Sequence, residues 1–183
     1  MAEQGGLRTV IFPSTSRRKA EIVADKKSEL PAVDVTVVEI DFAKETLADR
    51  LLATGFKKGA RTFFVWEGVS MYLTREAVKA TLGTLRELVA AGSEATIDFW
   101  YLIDSPGIIA TAHRMGANLL ALLGEPVTFG IHPEDAGDFL RRLGWKVAEL
   151  AEGAALEKLS VRDGRHVQPG VYLVAARAGA RKR

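Results

Sequence analysis

The 183-residue chain contains no cysteine. That removes disulfides, thiolate nucleophiles, iron–sulfur clusters and cysteine-ligated zinc together. Histidine is nearly as scarce. His113, His132 and His166 share no metal-ligand spacing, so each reads as a surface or packing residue, and no metal is expected. No apolar run approaches the roughly 18 to 20 residues of a membrane-spanning helix. The start, MAEQGG, lacks the basic and apolar regions of a signal peptide. The expectation is a cytoplasmic protein with no membrane partner. An excess of one charge is also missing: 25 basic residues face 23 acidic ones, a net charge of +2. This balance argues against a nucleic-acid partner, and the basic end Arg177, Arg181, Lys182 and Arg183 reads as a solvated tail.

What is present is a globular composition, 48% hydrophobic and 26% charged, with a mean hydropathy of +0.05. Residues 1–183 are expected to form one domain, which at this length buries roughly 70% of its unfolded surface without any staple. Apolar runs rich in β-branched or aromatic residues read as strands at Leu7 to Phe12, Val33 to Ile40, Arg61 to Trp66, Ala95 to Trp100, Trp145 to Leu150 and Val171 to Ala176. Helices are expected between them. One covers Ser14 to Leu30, capped by Ser14 or Ser16, and a short one runs from Thr46 to Ala53 before Gly55. A third starts at Thr74, carries Val78, Leu82, Leu85 and Val89 at helical spacing, and stops at Gly92. Ile108 to Leu123 and Pro133 to Leu143 complete the set, and Asp163 and Gly164 read as a turn.

Strands alternating with helices predict an α/β fold with a mostly parallel, doubly wound sheet, and the two closely spaced final strands predict an antiparallel member at its C-terminal edge. In such sheets ligands bind beyond the carboxyl ends of the strands. Pro13, Asp41, Glu67 and the Trp100 to Asp104 segment therefore carry most weight. A carboxylate there can accept hydrogen bonds from an adenine amine or pair with an ammonium, and an aromatic beside it can cover a base. Structural readings stand beside these: Asp41 as the cap of the following helix, Glu67 as a solvated loop acid, and Met71 to Leu73 as packing. Asp98 and Asp104 flank Trp100 and Tyr101, an aromatic pair that either closes over a substrate or belongs to the core.

The stretch Phe64 to Leu73, FVWEGVSMYL, followed by a helix and Gly92-Ser93, resembles the central signature of the leucine carboxyl methyltransferase family, whose bacterial branch is assigned to S-adenosylmethionine-dependent methyl transfer. Asp41-Phe42, Gly55-Phe56 and the late stretch FLRRLGWKV from Phe139 to Val147 fit in order and spacing. The resemblance spans residues 10 to 177 and implies a Rossmann-like class I methyltransferase fold. It implies S-adenosylmethionine as cofactor, with Asp41 and Phe42 near its adenine, Glu67 and Gly68 near its methionine portion, and Tyr72 lining the site of a small-molecule or carboxylate-bearing methyl acceptor.

Two parts of the family pattern are missing. No glycine-rich turn links a strand to a helix, since Gly5 and Gly6 precede the first strand. Ile11 stands where the family has an acid two places before a proline, although Pro13 and Lys19 keep their spacing. The expectation is a domain lacking its first strand and N-terminal helices, with a gap between the strand at 7–12 and the strand at 61–66. That gap is closed by direct pairing, by another segment, or by a homo-oligomer or partner chain. A non-catalytic relative acting as an interaction module or fragment is the alternative to an oxygen-directed methyltransferase. A dehydrogenase-type nucleotide domain is a third reading, which would itself want a glycine fingerprint.

Overall fold

The computed structural model describes residues 7–11, 13–26, 35–41, 44–103, 106–124, 126–160, 166–167 and 169–180. Phe42, Asp104, Asp163 and Gly164 lie outside them. The chain divides into two compact units, Met1–Lys58 and Gly59–Arg183.

The first unit holds β1 (Leu7–Ile11), α1 (Pro13–Asp25), β2 (Val35–Glu39) and α2 (Leu47–Ala53). β1 and β2 pair in parallel, Leu7 opposite Val35 through Ile11 opposite Glu39. α1 begins at Pro13, whose fixed φ suits a first helical position, so Ser14 and Ser16 lie inside the first turn and do not cap it. α2 is bounded as its sequence dictates. Thr46 accepts a hydrogen bond from the Asp49 N–H at 3.2 Å, and the helix ends where Gly55 takes φ +76°. There the Phe56 N–H reaches Leu51 O and the Gly55 N–H reaches Leu52 O, a Schellman closure.

The second unit holds β3 (Phe63–Trp66), α3 (Arg75–Leu88), β4 (Glu94–Trp100), α4 (Ile108–Leu122), α5 (Pro133–Arg142), β5 (Trp145–Glu152), α6 (Gly153–Ser160) and β6 (Val171–Ala178). Its sheet runs β3-β4-β6-β5, with β3 parallel to β4 and β6 antiparallel to both β4 and β5. The antiparallel C-terminal strand is thus present, but it lies inside the sheet, and β5 forms the edge. Short spacing along the chain brings β5 and β6 together without deciding which of them meets β4. The core gathers on β4 and β6, where Ala95, Ile97, Phe99, Tyr172, Val174 and Ala176 are almost fully buried. α3 lays Val78, Leu82 and Leu85 on it, with Thr74 capping through the Ala77 N–H at 3.2 Å. This helix stops at Leu88, earlier than Gly92, which instead turns the chain into β4 at φ +79°.

Several large polar side chains of this core are hydrogen-bonded. Trp145 Nε1 donates to Leu82 O at 3.0 Å, and Tyr172 Oη donates to Ile131 O at 2.9 Å. Burial pushes the Tyr172 hydroxyl well above the usual phenol range. The buried Arg86 guanidinium donates to the carbonyls of Gly144 and Gly179, tying α3 to the end of the β5–β6 pairing where Trp145 lies opposite Ala178. α6 and a 3₁₀ turn at Ser70–Tyr72 are elements that no sequence period announces.

Among the described residues, β1 pairs only with β2 and β3 only with β4. Each is an edge strand. Phe63 and Val65 on β3 are 62% and 64% exposed, so one face of this apolar strand is open. α4 turns Ala110 and His113 inward and leaves Ile108, Met115, Leu119 and Leu122 in solvent.

Candidate functional site

The signature resolves into a strand, a tight turn and a helix start. β3 delivers Glu67 at its carboxyl end, Gly68 takes φ +69°, and the 3₁₀ turn follows. The turn is anchored to β4 twice. The Gly68 N–H donates to Asp98 Oδ2 at 2.8 Å, and Ser70 Oγ donates to the Asp98 carbonyl at 2.8 Å. Ser70 is 1% exposed, so this hydroxyl is a structural pin. On its far side the turn is strapped by residues 128 and 129: the Thr128 N–H donates to Met71 O at 2.8 Å and Thr128 Oγ1 to Leu73 O at 2.8 Å.

Glu67 itself is exposed and makes no hydrogen bond or ion pair among the described residues. Gly68 is open as well, since a Cβ there would meet no atom within 4 Å. Asp98 differs. Burial, together with the nearby charge of Glu67, lifts its carboxyl above the usual range against the lowering effect of the Gly68 bond. Its second oxygen, Oδ1, is buried with no hydrogen-bond partner. Sequence reading placed Asp98 beside an aromatic pair and missed this anchoring, which depends on a contact 30 residues away. The signal available was its position: one residue past the last β3–β4 register pair, Trp66 with Ile97, the two chains reach Glu67 and Asp98.

Tyr72 is 41% exposed in the 3₁₀ turn, and Met71 is half-buried. Trp100 is core, 8% exposed and stacked on His113 at 4.7 Å between ring centroids. Tyr101 is half-buried, with its hydroxyl 3.4 Å from Glu152 Oε2. Its acidity is lowered by burial first and by that carboxylate second. His113 is a packing histidine whose ring nitrogens have no partner, and burial holds its pKa below the usual value. His132 occupies the N-cap position of α5, and His166 pairs with Glu157 at 3.3 Å on the surface.

In the first unit, Asp41 follows β2 and the fully buried Ile40. Its carbonyl accepts the Lys44 and Glu45 N–H groups at 2.9 Å, and its carboxylate pairs with Lys44 Nζ at 2.8 Å. Thr46 caps α2, so Asp41 is not the helix cap. Lys19 Nζ donates to Thr9 Oγ1 at 3.1 Å, while Ile11 ends β1 without a polar group. Only residue 12 separates β1 from α1, so no glycine turn lies there.

Residues 10–86 match the family model described as leucine carboxyl methyltransferase. Over that segment the chain is similar to the leucine carboxyl methyltransferases. It is 34% identical over 120 residues to YktD of Bacillus subtilis (strain 168), whose name assigns it to the S-adenosyl-L-methionine-dependent methyltransferases. That alignment takes in 64% of this chain and 38% of the relative, so the chain spans well under half of the relative's length. Solved structures share the fold at low identity. A SAM-dependent methyltransferase from Methanosarcina mazei superposes with a TM-score of 0.61 at 8% identity, covering 96% of this chain and 83% of that one. The pyocyanin biosynthetic protein PhzM gives 0.57 at 13%, covering 94% and 42%. Magnesium protoporphyrin IX methyltransferase from Synechocystis PCC 6803, solved with bound SAH, gives 0.54 at 11%, covering 96% and 65%. The fold is therefore the class I methyltransferase fold, α/β with a mixed sheet.

Proposed function

We propose that the chain is a cytoplasmic S-adenosylmethionine-dependent methyltransferase domain acting on an oxygen of a small molecule, in our reading a carboxylate. The observation that carries this is Glu67: an exposed carboxylate with no hydrogen-bond or ion-pair partner among the described residues, at the carboxyl end of a strand, on a turn fixed to the neighbouring strand. Such an acid suits the ammonium of the cofactor's methionine end, and the open space over Gly68 suits close approach of a ligand to the main chain. Asp41 and Phe42 are assigned to the adenine side and Tyr72 to the acceptor. When bound, the cofactor supplies an electrophilic sulfonium methyl. The chain's own residues then have to hold the acceptor in line and strip it of water; an ionised carboxylate needs no general base, in keeping with a site without histidine or cysteine.

The test is calorimetric titration of the 183-residue chain with S-adenosylmethionine and S-adenosylhomocysteine. Micromolar affinity, about 8 kcal/mol, is expected, with at least a tenfold loss in Glu67→Ala. Unchanged affinity in that variant would remove Glu67 from the site.

A second reading, a non-catalytic interaction module, draws on the exposed apolar edge of β3. It expects no cofactor binding and self-association or a partner strand on that edge. Light scattering that finds a monomer at every concentration would count against self-association.

A further inference from the structure

Resting on the reading of Glu67 above, we propose that Asp98 is a positioning residue for it, holding the Glu67–Gly68 peptide so that the Glu67 carboxylate faces the methionine end of the cofactor. The bond from the Gly68 N–H to Asp98 Oδ2 fixes the plane of the peptide that immediately follows Glu67. Gly68 in the left-handed region and Ser70 pinned to the Asp98 carbonyl constrain the chain after that peptide, and the pairing of Trp66 with Ile97 constrains the chain before it. Among the described residues Glu67 makes no hydrogen bond or ion pair of its own to set its direction, so its aim is inherited from this anchor.

The acceptor at position 98 sits where burial opposes its charge, so the bond to the Gly68 N–H is held against a cost. Asparagine would accept the same N–H without a charge. Asp98 instead leaves Oδ1 buried without a donor and stands beside a second carboxylate, both of which destabilise its ionised form. The charged group acting on it among the described residues is Glu67, from the end of β3; its register partner on β6 is the apolar Leu173. A position that costs stability and controls the direction of a binding residue is one kept for the site.

A double-mutant cycle tests this. Affinity for S-adenosylhomocysteine is measured for the wild type, Asp98→Ala, Asp98→Asn, Glu67→Ala and the Asp98→Ala/Glu67→Ala pair, together with thermal unfolding and hydrogen exchange at the Gly68 amide. Asp98→Ala is expected to bind about tenfold more weakly, and Asp98→Asn within about threefold of wild type. In the Glu67→Ala background the Asp98→Ala loss should vanish, because both act through one carboxylate. Gly68 exchange should rise about tenfold in Asp98→Ala and stay low in Asp98→Asn, with no drop in melting temperature for Asp98→Asn.

Additive losses, or wild-type affinity in Asp98→Ala while Glu67→Ala is impaired, would overturn this proposal alone. Absence of binding by the wild-type chain would overturn the functional reading and this proposal together.

Discussion

The sheet of β1 and β2 and the sheet of β3, β4, β6 and β5 are written in similar apolar, β-branched residues, yet they end up with different interiors. In the first unit, Val38, Ile40, Leu47 and Leu51 are the buried apolar residues among those described, and β1 has none. In the second, β4 and β6 alternate buried and half-buried positions along most of their length, each flanked by a strand on both edges. Strand composition sets which residues can be buried; the number of neighbouring strands and covering helices decides which are. A two-stranded sheet is marginal without further layers, so local stability should differ between the units.

The largest effect should fall where the second unit is packed most tightly. Gly170 has φ +82°, and a Cβ there would lie 2.5 Å from the His113 ring and 2.9 Å from Tyr101 O. The ring is itself stacked on Trp100, so moving it aside would break that contact. Gly170→Ala should cost about 3 kcal/mol from backbone strain and overpacking together, read in chemical denaturation. A loss under about 0.5 kcal/mol would show that this corner is looser than its geometry. Next, amides of β2 should exchange about a hundredfold faster than those of β4 and β6, since local opening releases little buried surface there. Equal protection would erase the contrast between the sheets.

Much of this arrangement was legible in the sequence where a local rule sufficed. The helical spacing of Val78, Leu82 and Leu85, the start of α3 at Thr74 and the Gly55 stop are each set by neighbours within a few residues, whereas the cap of α2 falls on Thr46 and not on Asp41. Failures came where the answer depends on distant partners. Gly92 looked like a helix stop because its φ preference is local, but the extended backbone of Val89 had already ended α3. The interior place of β6 is fixed by its pairing with β4, some 75 residues away, and the period says nothing about it. α4 was legible as an apolar helix, but not which of its apolar faces would be covered. The site follows the same division. Glu67 and Gly68 stand out in a contiguous signature, whereas Asp98 gains its meaning only when β3 and β4 lie side by side.

His113 sharpens the comparison through pH. Burial holds its folded-state pKa below the usual 6.5, so the unfolded chain takes up a proton that the folded chain resists. Stability of the second unit should therefore fall as pH drops below about 6.5, and level off below the folded-state pKa. His113→Phe keeps a ring against Trp100 and should abolish this component of the acid sensitivity, seen in denaturation between pH 5 and 7, roughly the range in which histidine titrates. An unchanged pH slope would assign the sensitivity to another group.

The smallest effect compares like with like. Thr46 and Thr74 cap their helices through the same bond at the same length, 3.2 Å to the third N–H. Replacing either with alanine removes one cap, about 1 kcal/mol locally. What differs is what else holds each helix. α3 has fourteen residues and sets Val78, Leu82, Leu85, Arg86 and Leu88 into the core, so Thr74→Ala should lower global stability by about that amount while α3 stays formed. α2 has seven residues and buries Leu47 and Leu51. Thr46→Ala should instead appear as local fraying, with faster exchange at Leu51 and Leu52 and little change in the global transition. If both variants shifted the global transition equally, the two units would share one cooperative unfolding, and the difference in burial between their sheets would not translate into a difference in stability.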